Sequence, residues 1–296
     1  MFRRLAQQES APQISGGSSV FPTMRLSHLR VQNGQMTSPI ATASALGLYL
    51  YGGAEPGADL FARFARLTES LFARLGIAPT YLGLGGDGYP EGFVRYGGRA
   101  HKKALAREFD GVVSVSVAAN PVGSDEPTFD SFALASLSYT PSVGELLLSL
   151  EVNEAWLPFD GEAYAETMGA YITLAPWSFG FGFADASNRQ PGFHILSLDP
   201  GDLPPDERTR LLTWYAVAPE VRVRKLRDVY ALNLLGAGQL GEATRDGGTL
   251  RSLITSMGAG DIQPTAGTSL MSWRVPTTSR EAVRRQMAEA GAIAGL

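Results

Sequence analysis

Tyr81–Gly98 reads YLGLGGDGYPEGFVRYGG, and Gly83, Gly85 and Gly88 within it fall in the spacing G-x-G-x-x-G. That spacing opens dinucleotide-binding α/β folds, so its reading decides the fold class. In such folds the glycines join a strand to the first turn of a helix, whose N-terminus holds the pyrophosphate. Here Thr80–Leu84 reads as a strand, but Tyr89-Pro90-Glu91-Gly92 comes directly after Gly88, and Gly97 and Gly98 come soon after. Glycines that dense do not sustain a helix. Glu108 and Asp110 stand at the right distance to reach a ribose, but no second parallel strand leads to them. With 34 glycines in the chain, chance matches to the motif are expected. The stretch is read as a glycine-rich turn, and no cofactor is assigned to it.

The periodicity outward from this turn favours α+β. Leu46–Tyr51 reads as a strand ended by Gly52-Gly53, and ADLFARFARLTESLFARL (Ala58–Leu75) as a helix. Leu60, Phe64, Leu67, Leu71 and Leu75 share one face of that helix, and Gly76 is placed to end it. A short helix is expected near His101–Glu108. Val113, Val115 and Val117 alternate with serines, the pattern of a half-buried strand over Val112–Ala118. Ser131–Tyr139 and Glu145–Val152 read as strands joined by a turn at Pro141 and Gly144.

Beyond that turn, helices are expected at Glu162–Ile172, Pro205–Tyr215, Thr249–Ser256 and Ser279–Ala292. Strands are expected at Trp177–Ala184, Phe193–Leu198, Arg227–Leu235 and Ser269–Val275. Strands outnumber helices and follow one another as neighbours. The fold class expected is therefore α+β, with a mixed, mainly antiparallel sheet and helices packed on it. Residues 1–40, rich in Ser, Gln, Gly and Thr, read as a loose N-terminal segment. Residues 41–296 read as a single α+β domain, with a pseudo-duplication dividing near 141–145.

Composition narrows the function classes. At 296 residues with 44% hydrophobic and 18% charged residues, the chain is globular in character. A net charge of −4 supplies no global field that would draw it to nucleic acid or anionic lipid. There is no cysteine, which excludes disulfides, thiolate metal sites and cysteine nucleophiles. Two arginines near the N-terminus are not followed by an apolar stretch, and no run reaches the length of a membrane span. A cytoplasmic protein without a membrane partner is expected.

Catalytic and metal-binding patterns are weak. The three histidines are His28, His101 and His194. His194 alternates within FHILSLD and reads as a strand histidine, and His101 reads as a solvated helix start beside Lys102 and Lys103. No G-x-S-x-G elbow or P-loop is present. Asp199, Asp202, Asp206 and Glu207 in LDPGDLPPDER lack the order of a calcium loop, and Asp202 or Asp206 more simply caps the adjoining helix. No catalytic residue and no metal ligand is assigned. Trp177, Phe179, Phe181 and Phe183 alternate with Ser178, Gly180 and Gly182, so large rings cover one strand face while small residues admit another layer on the opposite face. VRVRKLRDVY (Val221–Tyr230) alternates valine with arginine and reads as a charged, exposed edge.

LRDVYALNLLGAGQL (Leu226–Leu240), followed by Gly247–Ile254, resembles a segment of bacterial immunity proteins of polymorphic toxin and type VI secretion systems, the immunity protein 52 group. Ala231 stands where that group's pattern has proline, and Leu234 and Leu235 where it has an aromatic-leucine pair. The resemblance covers residues 226–254 and implies a non-enzymatic inhibitor that binds a cognate toxin. It carries no catalytic residues across. For a nuclease toxin, an acidic surface would occupy the basic cleft and speed encounter. The partner-binding residues expected on that basis are Asp125, Glu126, Asp130, Asp199, Asp202, Asp206 and Glu207. Two other readings stand beside this one. One is an enzyme with a small-molecule site near residues 83–98, using Asp87, His101 or His194. The other is an assembly protein of a secretion or phage-like particle.

Overall fold

The structure, a computed structural model, describes residues 42–53, 55–89, 92–120, 133–186, 191–195 and 205–295. The leader expected at residues 1–40 lies outside them.

The first strand, β1 (Thr42–Tyr51), is followed by α1 (Ala58–Arg74), the hairpin β2 (Tyr81–Gly86) and β3 (Phe93–Arg95), and α2 (Arg99–Ala106). Three long strands come next: β4 (Val112–Ala119), β5 (Ala133–Thr140) and β6 (Glu145–Asn153). After them stand α3 (Glu162–Ile172), β7 (Phe179–Ala186), α4 (Pro191–Ile195), α5 (Pro205–Ala216) and α6 (Pro219–Arg222). The chain continues through β8 (Leu232–Leu235), α7 (Ala237–Leu240), α8 (Leu250–Met257), β9 (Ile262–Pro264), β10 (Met271–Arg274) and α9 (Arg280–Glu289).

The ten strands among the described residues join one open sheet in the order β3-β2-β4-β5-β6-β1-β7-β8-β10-β9, and each neighbouring pair is antiparallel. β1, the earliest strand, lies between β6 and β7, so the two sequence halves meet along it. The α+β expectation holds, and the glycine motif lies on an antiparallel hairpin, with no helix among the described residues of its turn.

Alternation in the central strands produces two buried layers. Leu46, Leu48, Leu148 and Leu150 point to one face, where Phe61, Phe64, Phe72, Tyr164 and Tyr171 of α1 and α3 cover them. Each such ring or leucine stabilises the fold by about 1.5–3 kcal/mol relative to exposure. Ala45, Tyr49, Phe179, Phe181 and Phe183 point to the other face, under Ile195 and Trp214 of α4 and α5. A third cluster joins α8 and α9 to Leu235 and Trp273 at the far end of the sheet.

The aromatic ladder acts as its alternation predicts, with one exception. Phe179 and Phe181 stack on Tyr49, Phe181 also stacks on Tyr230 with Phe183 tilted against it, and Phe179 meets Trp214 edge-on. On the opposite face, Gly182 leaves room for the Tyr164 hydroxyl, which donates to the Ala45 carbonyl at 2.8 Å. Trp177 lies before β7 and turns to the α1–α3 layer instead, its indole N–H donating to the Tyr171 carbonyl.

Several local expectations change. Residues 193–195, expected in a strand, form the end of α4, because Pro191 starts a helical turn that caps the Phe181–Tyr230 stack. Val221–Tyr230 is no edge strand: α6 takes its first residues, and the strand expected from Arg227 begins only at Leu232. Arg222 and Arg227 of this segment instead fold inward, while Arg224 stays exposed. The buried stripe of α1 is centred on Phe61, Phe64, Thr68, Leu71 and Phe72, with Leu60, Leu67 and Leu75 at its margin. Three-residue β3 and β9 escape periodicity because they are too short to alternate.

Candidate functional site

The end of β7, α4, α5, the 227–230 segment and α9 enclose a cavity of about 230 Å³. Its walls carry four arginines (Arg210, Arg227, Arg280 and Arg284), three carboxylates (Asp185, Glu207 and Asp228), His194 and Tyr230. The residues come from five separate segments. No local motif marks them, which is why sequence reasoning misses the site. The one signal available is VRVRKLRDVY, whose arginines are too regular for a random coil.

Arg227 is the floor of this cavity. It is 7% exposed, and it donates to the Tyr49 hydroxyl at 2.8 Å, the Ile195 carbonyl at 3.1 Å and the His194 carbonyl. Its guanidinium also lies over the Phe181 and Trp214 rings, at 5.1 and 6.0 Å from their centroids. These contacts explain why a fully charged side chain is held in an aromatic layer: neutral oxygens and ring faces replace the lost water. Arg222 does the same nearby, donating to the Tyr51 hydroxyl, the Val217 carbonyl and Glu145, and lying 5.7 Å from the Trp214 centroid.

Asp228 turns the other way. Arg284 donates to it at 2.6 Å, and Arg210 lies 3.6 Å from its second oxygen. The Tyr230 hydroxyl lies 3.0 Å from His194 Nε2. His194 keeps some exposed area, yet its ring sits deep in the wall. Burial, with the positive charges of Arg227, Arg210 and Arg284, holds it well below its ordinary pKa. Burial likewise pushes the Tyr49 hydroxyl up to about 12. The arrangement therefore holds neutral imidazole and phenol groups inside an arginine-rich wall.

The glycine turn has a different character. Gly86, Gly88 and Gly92 adopt positive φ, and a Cβ at Gly86 would meet the Gly111 carbonyl oxygen at 2.1 Å. The Asp87 amide donates to that same carbonyl. Lys103 and Arg107 lie over the Tyr89 ring, and Lys103 donates to the Gly88 carbonyl. These contacts are those of a closed turn, with the glycines required by backbone approach. His101 is not a solvated helix start: its side chain is buried against Tyr96, it accepts from the Gly97 amide, and its Nε2 lies 3.8 Å from Glu69. Burial lowers its pKa.

Asp87, His101 and His194 are not brought together. Asp87 and His101 flank β2, while His194 packs on β7, five strand spacings away and so about 24 Å at the usual distance between strands. Of the acidic residues expected to bind a partner, Glu207 lines the arginine cavity and Asp206 stands in the first turn of α5, inside the helix that it is expected to cap. Asp125, Glu126, Asp130, Asp199 and Asp202 lie outside the described residues, as does His28. Among the described residues, no group of three or more His, Asp or Glu could hold a metal ion. No described helix is long and apolar enough to cross a membrane.

No family model matches the chain, and no curated protein matches it. Among solved structures the chain is similar to the Pseudomonas aeruginosa T6SS protein PA0821. The TM-score is 0.55 at 12% identity, over 86% of this chain and 73% of that one. At that identity the likeness is one of fold, and it spans most of the chain rather than a single motif.

Proposed function

We propose that this chain is a non-enzymatic immunity protein that binds a cognate secreted toxin and blocks it, acting in the cytoplasm of the cell that makes it. The observation that carries the reading is the fold likeness to a T6SS protein over most of both chains. The resemblance of Leu226–Ile254 to immunity proteins of such systems supports it from an independent direction. The segment 226–230 supplies Arg227 and Asp228, which lock the sheet to α4, α5 and α9, so in this reading it is a structural element of the inhibitor.

The partner-facing surface in this proposal is acidic. Asp199, Asp202, Asp206 and Glu207 form one segment, and Asp125, Glu126 and Asp130 another. A basic nuclease cleft is the toxin chemistry they fit best. The test is capture of the tagged chain from its own host, with partners identified by mass spectrometry. One stoichiometric toxin whose capture is weakened by Asp199→Lys, Asp202→Lys and Glu207→Lys supports the reading. A retained small molecule with no protein partner contradicts it and returns attention to an enzyme. The separation of Asp87, His101 and His194 weighs against an enzyme assembled from those three.

A further inference from the structure

We propose that the cavity between β7, α4, α5 and α9 is a binding site for a compact oxyanion, a carboxylate or phosphate ligand. Four guanidinium groups line its walls against the three carboxylates of Asp185, Glu207 and Asp228, which leaves one positive charge in excess, and the planar forks of arginine match oxyanions in geometry as well as charge. Asp228 is already held by Arg284 and Arg210. Arg227 donates to neutral oxygens, so those contacts leave its charge uncancelled.

Arg280 supplies the unspent donor. Its terminal nitrogen donates to Thr277, but its Nε is shut off from solvent with no hydrogen-bond partner. A buried N–H left unmade is costly; Nε is closed to the cavity as the side chain stands, and a small turn of the guanidinium toward a bound oxyanion would satisfy it. The field inside the cavity agrees: burial first and then the positive charges of Arg227, Arg210 and Arg284 depress His194, and burial together with Arg284 lowers Arg280 itself against the opposing pull of Asp228 and Asp185. A neutral His194 beside Tyr230 adds polar contacts without further charge.

The volume, about 230 Å³, is far more than the about 10–15 Å³ a single water needs. It is below the roughly 300–1,000 Å³ of sites for drug-sized ligands. A phosphate or a short dicarboxylate matches that size. This inference does not rest on the toxin-binding proposal, with which it shares only Glu207, and the Arg280 variants test it alone.

The test is isothermal titration calorimetry and thermal melting of the full chain with sodium phosphate and with sodium malonate, each against sodium chloride at equal ionic strength. A saturable heat with a ligand-dependent rise in Tm is expected. Binding of phosphate alone assigns a phosphoryl ligand, and binding of malonate assigns a carboxylate. Arg280→Gln should weaken binding about tenfold or more, the scale of one lost charge-assisted hydrogen bond. Arg251→Gln, on the exposed side of α8, should leave it unchanged. Should Arg280→Gln fail to fold, Arg280→Lys keeps the charge, lacks the fork, and should also weaken binding. Heats and Tm shifts equal to those in chloride, or equal in wild type and Arg280 variants, overturn the proposal.

Discussion

A 2.8 Å hydrogen bond joins the Arg227 guanidinium to the Tyr49 hydroxyl, across 178 positions of sequence. It ties the middle strand of the sheet to the segment that carries the resemblance to immunity proteins. The same guanidinium holds the last turn of α4 through the Ile195 and His194 carbonyls. Arg227→Met should therefore leave the His194 carbonyl without its donor, while the Tyr49 hydroxyl still donates to the Ile195 carbonyl, and destabilise the fold by about 1–3 kcal/mol, the cost of one unsatisfied buried group. Urea denaturation measures this. A loss within experimental error of zero would mean that water replaces the guanidinium.

Glycines in this chain should respond to alanine with opposite signs. A Cβ at Gly180 would meet the Gly47 carbonyl oxygen and a Leu48 methyl, both at 2.6 Å. Gly180→Ala should cost about 1–3 kcal/mol by overpacking. Gly169 lies in α3 with nothing within 4 Å of its Cβ position. There alanine should stabilise by about 0.5–1 kcal/mol, through the lower entropy of the unfolded chain and better helix propensity. Paired melts of the two variants check both signs.

Stability should fall on mild acidification because of His194. The folded state holds it neutral, well below the value near 6.5 that it regains on unfolding. Below about pH 6.5 the unfolded state takes up a proton that the folded state refuses. Stability is thus fully present above that pH and declines as pH falls, by about 1.4 kcal/mol per unit for one proton. His101, lowered by burial, acts in the same direction. Denaturation at pH 7.5, 6 and 5 should show the slope, and His194→Gln should flatten it by up to one proton.

α8 carries a reciprocal cap: Thr249 Oγ1 accepts from the Ser252 amide, and Ser252 Oγ accepts from the Thr249 amide. Thr249→Ala should cost about 1 kcal/mol, the usual value of an N-cap side chain. Equal stability of Thr249→Ala and wild type would show that Ser252 alone suffices.

Much of this architecture is legible in the sequence where a segment is long and its period clean. The α1 pattern, the Val-Ser alternation of β4 and the Phe-Gly alternation of β7 each lead to the observed element. The residues after the glycine motif resolve its meaning, because Gly92, Gly97 and Gly98 follow Pro90 too closely to sustain a helix. The failures share one cause. Phe193–Leu198 and Val221–Tyr230 have strand-like alternation, but the conformations of their described residues are set by distant partners: the Phe181–Tyr230 stack for 193–195, and Tyr49, Trp214 and Glu145 for the other. His101 reads as solvated because Lys102 and Lys103 stand beside it, while Tyr96 and Glu69, which bury it, come from other elements. The arginine cavity is illegible for the same reason: tertiary structure alone brings Arg210, Arg227, Arg280 and Arg284 to one wall.

The central claim, protection against a secreted toxin, is tested most directly by competition. A host strain lacking this chain is mixed with its parent, whose type VI apparatus is either intact or inactivated. The account predicts that the deletion strain is outcompeted only by the parent with intact secretion, and that expressing the chain without an export signal restores it. Equal survival against both parents would contradict it.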